Sequence, residues 1–138
     1  MFTAFPLLAL PVVVYNLFAL TLVGGFRSGA AEETLNRTLF AVAMPAGSWA
    51  VSLGDLLLAG SLVVLFIELL KSTTSRRAAI INHALSMMLF VLCLVELLLA
   101  PAFATSTWFL ITLMVLLDVL AGFIVTIVAS RRDIDIVG

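Results

Sequence analysis

Four apolar stretches, each close to the roughly 20 residues needed to cross the hydrocarbon core of a bilayer, occupy most of this chain. In lipid a backbone must satisfy its own polar groups, so such stretches are expected as helices. They cover residues of about 4–25 (AFPLLALPVVVYNLFALTLVGG), 54–70, 78–100 and 107–130. Between them lie only short loops, too small for a soluble domain. Of the 138 residues, 64% are hydrophobic and 11% charged, far outside the usual soluble range. The expected fold is an all-α integral membrane protein. Its four transmembrane helices form an antiparallel bundle, and residues 1–138 make a single membrane domain.

Local signals mark the ends of the spans. Pro6 lies near the start of the first, where a missing N–H is harmless, and Pro11 is expected to bend it. Gly24-Gly25 stops that span, Lys71 ends the second, Pro101 the third and Arg131-Arg132 the fourth. The small residues Ser28-Gly29-Ala30-Ala31 could suit a signal-peptide cleavage site. MFTAF carries no basic residue, however, and the apolar run is longer than a usual signal core, so a retained first span is expected.

Charge sets the orientation. Lys71, Arg76 and Arg77 sit between spans two and three, and Arg131 and Arg132 follow span four. Only Arg27 and Arg37 fall on the opposite side. The positive-inside rule therefore places both termini in the cytoplasm, by 5 basic residues to 2. Trp49 and Trp108 then fall at the outer interface, where tryptophans act as anchors. The expected location is an inner (cytoplasmic) membrane of bacterial type.

One segment does not read as helix. From Phe40 to Leu53 large apolar residues alternate with Ala or Ser on both sides of Pro45-Ala46-Gly47-Ser48. Period two is a strand signal, and the tetrad can close a hairpin. The expectation is a short external β-hairpin or extended cap at about 39–53. It would lay Phe40, Val42, Met44, Trp49, Val51 and Leu53 on the bundle or the lipid surface. Asp55 after Gly54 reads as the N-cap of span two. The competing reading begins span two at Ser48.

Apart from Asp55 at the start of span two, three of the spans each carry one carboxylate within the apolar run: Glu68, Glu96 and Asp118. An ionisable group in hydrocarbon costs about 2.5–3.5 kcal/mol on the insertion scale, so each needs an explanation. Asn82, Ser86, Leu89, Cys93, Glu96 and Ala100 recur every three or four residues and share a helix face. Asp118, Gly122, Thr126 and Ser130 do the same on span four, and Gly60, Val64 and Glu68 on span two. Asn16 adds a polar group to span one. These faces should point inward, away from lipid. By position, Glu96 lies toward the outside, Asp118 at mid-membrane level with Asn16, and Glu68 toward the cytoplasm with His83 as partner. Glu68 can also reach the interface by snorkelling. The three levels form a ladder of the kind seen in proton relays and ion paths. The same groups serve equally as helix-packing glue, at about 0.6–2 kcal/mol each.

Other chemistries have little support. Basic and acidic residues nearly cancel, at 7 and 8, and the basic ones sit at span flanks, which disfavours nucleic acid. His83 is the single histidine and Cys93 the single cysteine, so a bis-histidine haem within one chain and an intrachain disulfide are both impossible. No metal-ligand spacing, phosphate loop or activated nucleophile occurs, so neither a catalytic role, a metal nor a cofactor is expected. The residues point instead to a small accessory or scaffold subunit of a larger membrane complex, with membrane lipid and other subunits, or copies of itself, as partners. A proton or cation transporter working as an oligomer is the first alternative, and a lipid- or quinone-binding protein the second. No inverted repeat strengthens the transporter case.

Overall fold

The computed structural model describes the backbone of residues 5–71 and 76–137, and side chains over 5–71 and 80–128. Chain order is helix α1 (Ala9–Thr21), helix α2 (Ala31–Leu35), strands β1 (Thr38–Met44) and β2 (Gly47–Ser52), then helices α3 (Leu53–Lys71) and α4 (Arg76–Leu99). A 3₁₀ turn at Pro101–Phe103 follows, and α5 (Ser106–Val137) ends the chain.

Three helices are long and apolar enough to cross a membrane: Leu53–Lys71 with 19 residues, Ile80–Leu99 with 20 and Ser106–Val128 with 23. At 1.5 Å per residue they reach about 28–34 Å, which matches a hydrocarbon core of about 30 Å. Their outward faces carry large exposed apolar side chains, among them Phe66, Met88, Leu98, Leu99, Phe123 and Ile124. Length and outward apolarity together mark a membrane protein. The backbone of α5 continues past Arg131-Arg132 to Val137, so those charges end the apolar part and not the helix. Their side chains, like Ser130, lie outside the described residues.

The first apolar stretch behaves differently from its expected 4–25 span. Its helix has 13 residues, shorter than a usual crossing, and Pro11 falls in the first turn. There proline costs no hydrogen bond, so it helps start the helix instead of bending it. At the far end Gly24 has φ of 85°, and the Gly25 N–H bonds back to the Ala19 carbonyl at 2.9 Å. This left-handed turn caps a free helix carbonyl and redirects the chain.

The hairpin forms where alternation placed it. Met44 pairs with Gly47, Val42 with Trp49 and Phe40 with Val51, around a two-residue Pro45-Ala46 connection, and a register shift lies between Thr38 and Phe40. Gly47 takes φ of 141°, a conformation that side chains disfavour. Strand pairing through Ser52 excludes the alternative helix start at Ser48. Opposed residues share a face, so Phe40, Val42, Met44, Trp49 and Val51 line one side. Only Val51 packs inward, because β1 and most of β2 stand clear of the helices. Helix α3 is capped by Ser52 and not by Asp55. The Asp55 N–H donates to Ser52 Oγ at 3.2 Å, and the Ser52 N–H donates to Asp55 Oδ2 at 2.8 Å. The two residues thus form a reciprocal capping box.

Helix α5 packs against both α3 and α4, and α1 lies against α3 and α5. At one end of the long helices Tyr15, Phe18, Phe26, Phe103 and Trp108 stack, with ring centroids 4.6–5.4 Å apart. The Tyr15 hydroxyl adds bonds to the Ala102 carbonyl at 3.1 Å and Thr105 Oγ1 at 2.6 Å. At the same end Gly54 lets α3 approach α5, since a Cβ there would sit 2.9 Å from Thr107 Oγ1. The starts of α3 and α5 therefore lie together, while α4 runs the opposite way.

Candidate functional site

The inward face of α4 is the spine of the polar interior. Asn82, Ser86 and Cys93 are buried, and Leu89, Glu96 and Ala100 are half-buried, as their spacing implied. On α3 the inward positions are Gly54, Ser61, Leu65 and Glu68. The expected Gly60 turns out of this line, one residue from Ser61 and thus about 100° around the helix. On α5 Asp118 is buried and Gly122 half-buried, but Thr126 is exposed and bonds its own helix at the Gly122 carbonyl.

Glu68 does not snorkel; it is 0% exposed. Its Oε2 accepts the Leu7 N–H at 2.6 Å, and its Oε1 accepts Asn82 Nδ2 at 2.6 Å and Lys71 Nζ at 3.3 Å. Lys71 also donates to the Phe5 carbonyl and, at 3.5 Å, to Asn82 Oδ1. One carboxylate thus ties the segment before α1 to α3 and α4. Lys71, one turn on from Glu68, supplies the opposite charge that a buried carboxylate requires.

Asp118 is 5% exposed, and its Oδ2 accepts the Ser86 hydroxyl at 2.7 Å. Glu68, Lys71 and His83 lie within electrostatic reach of it. His83 is not the partner expected for Glu68. Asn82 already faces that carboxylate, and the next residue on a helix points about 100° away. His83 turns to α5 instead, where the bare backbone of Gly122 leaves room for its ring. A Cβ at Gly122 would lie 2.7 Å from His83 Nδ1. That nitrogen is buried and has no hydrogen-bond partner among the described residues.

Glu96 is separate from this group. Its hydrogen-bond partner is Asn16, whose Nδ2 reaches Glu96 Oε2 at 3.4 Å and the Val12 carbonyl at 3.1 Å. Asn16 is therefore level with Glu96 and not with Asp118. The expected level assumed a helix over 4–25, whereas α1 begins at Ala9 and its chain reaches the aromatic end by Phe26. Between the two polar groups α4 turns Leu89 and Cys93 inward, and α5 adds buried Ile111, Met114 and Val115. The expected ladder is thus two clusters, and the layer between them also holds Ser61 and Thr112, buried with their hydroxyls bonded to the Leu57 and Trp108 carbonyls of their own helices.

The two tryptophans also part ways. Trp49 is half exposed on the hairpin face, but Trp108 is 0% exposed. Its ring packs on Tyr15 and Phe103, and its indole N–H donates to the Cys93 carbonyl at 3.2 Å. It serves as a core residue, not an interface anchor facing lipid. Sequence reasoning overlooked Tyr15, Lys71 and the Leu7 N–H as members of the polar interior. A tyrosine inside an apolar stretch, with a phenolic hydroxyl needing a partner, was the available signal. Among the described residues no three His, Cys, Asp or Glu side chains group as metal ligands. Comparison of the chain with protein-family models, curated proteins and solved structures gives no match, so the chemistry of the site has to speak for itself.

Proposed function

We propose that the chain is a four-span scaffold, a small accessory subunit of a larger inner-membrane complex. Its intramembrane acids hold its own helices together. The observation that carries this reading is that Glu68, Asp118 and Glu96 each have a partner inside the chain, while the buried hydroxyls between the two clusters, Ser61 and Thr112, bond their own helices. Groups paired in this way act as interhelical glue, worth about 0.6–2 kcal/mol each in a membrane. The outward faces, and the hairpin face of Phe40, Val42, Met44 and Trp49, are left for lipid and neighbouring subunits.

In this reading the segment from Leu7 to Phe26 makes the fourth crossing. The Leu7 N–H binds Glu68 near the end of α3, and the Phe26 carbonyl accepts the Ala102 N–H at the opposite end at 3.0 Å. The chain between them therefore runs the length of the long helices. The distribution of basic residues supports cytoplasmic termini and an external hairpin.

A proton or cation path is the second reading, and one observation favours it. His83 Nδ1, buried and without a hydrogen-bond partner among the described residues, belongs to a ring within electrostatic reach of Asp118, and such a nitrogen suits a proton acceptor. Proteoliposomes separate the two. The scaffold predicts no proton or monovalent-cation flux above empty vesicles under either a pH or a salt gradient. Flux that disappears in a folded Asp118→Asn protein would overturn it.

A further inference from the structure

Glu96 and Asn16 stand apart from the other polar groups because, among the described residues, their bonding is incomplete. Glu68 has three donors and Asp118 a short bond from Ser86, whereas Glu96 has one long bond from Asn16. Both residues are half-buried, so the pair opens onto the outer surface where α1 and α4 meet. Val13, Asn16 and Leu20 recur at spacings of three and four on α1, as do Leu92, Glu96 and Leu99 on α4. The four apolar members are all strongly exposed. The result is a polar pair with free capacity, framed by leucines and a valine, on a face turned to hydrocarbon. Left to lipid, that capacity stays unmet.

We infer that two copies of the chain pair side by side through this face, Glu96 of each meeting Asn16 of the other. The inference rests on the scaffold reading and names its partner. Three points lead to a second copy. The two Nδ2 hydrogens of Asn16 are taken by Val12 and Glu96 of its own chain, which leaves Oδ1 as an acceptor. A carboxyl without a cationic partner enters hydrocarbon neutral, and then keeps one O–H to donate. The patch thus carries one donor and one acceptor and is self-complementary, as a two-fold interface requires. Finally, copies inserted in the same orientation are related by an axis along the membrane normal, so Asn16 and Glu96 recur at the same depth in both. An unrelated helix would have to supply a matching donor and acceptor at that level.

The test uses the full chain in mild detergent and in lipid vesicles. Light scattering should give a particle of two chains. In a mixture of singly substituted chains, oxidation should cross-link Leu92→Cys of one copy to Val13→Cys of the other but should not join Phe66→Cys on the outer face of α3, and buried Cys93 provides the background. Replacing both Asn16 and Glu96 by Leu removes two symmetric contacts and should lower the dimer constant about tenfold or more. Glu96→Gln retains a donor and an acceptor and should keep the dimer. If the Leu variant fails to fold, the cross-linking pattern decides. A single-chain wild-type particle, preferred cross-linking at Phe66→Cys, or a dimer indifferent to the Leu substitutions overturns the pairing. A particle holding one copy with a different chain overturns the pairing and leaves the scaffold reading intact. A single chain that conducts protons overturns both.

Discussion

An aspartate midway along the apolar part of α5 has no route to water, so its cost must be offset where it sits. The Ser86 hydroxyl at 2.7 Å does this. Asp118→Asn preserves size and hydrogen bonding and should shift stability by no more than about 1 kcal/mol. Asp118→Leu strands the buried Ser86 hydroxyl and should cost about 1–3 kcal/mol. Thermal midpoints in detergent read both, and a larger loss for Asn than for Leu would be the wrong order. Gly122 makes a sharper case. A methyl there would meet His83 Nδ1 at 2.7 Å, so Gly122→Ala should destabilise by about 1–3 kcal/mol through overpacking. His83→Ala in the same chain should return most of that loss; no recovery would show that the contact is not the cause. Periodicity identified Asn82, Ser86 and Asp118 as inward-facing. It does not say which neighbour each meets, so depth alone pairs His83 with Glu68. Rotation about α4 gives that place to Asn82.

Among elements, the hairpin was the most legible, since a two-residue period has no helical counterpart. Its link to α3 is less legible: Ser52 and Asp55 both suit helix starts, and only their reciprocal bonds identify the N-cap as Ser52. Ser52→Ala should cost about 1 kcal/mol, measured by the same melts; an unchanged midpoint would mean that the box contributes nothing. The two tryptophans read alike in sequence, because the preference of Trp for interfaces does not indicate which way a ring turns. Single-tryptophan proteins in vesicles separate them. Trp108 emission should resist both iodide and bromine-labelled lipid, whereas Trp49, half exposed on the hairpin, should be quenched by at least one. Equal quenching would contradict the buried position of Trp108.

For the molecule as a whole, span existence and length were readable from hydropathy, because three helices of 19–23 residues need little more than apolar runs. The first stretch was harder. Its proline and glycines trim the helix to Ala9–Thr21, and that shift moved Asn16 from the level of Asp118 to that of Glu96. Orientation can be checked by cysteine labelling. Ser106→Cys at the exposed start of α5 should react from outside, and Ser75→Cys, outside the described residues, should not. The opposite pattern inverts the topology. The central claim is that the intramembrane acids act as pins between helices, and a double-mutant cycle tests it most directly. Ser86→Ala, Asp118→Leu and the pair together should give a coupling of about 0.6–2 kcal/mol in detergent stability. Purely additive losses would contradict the account.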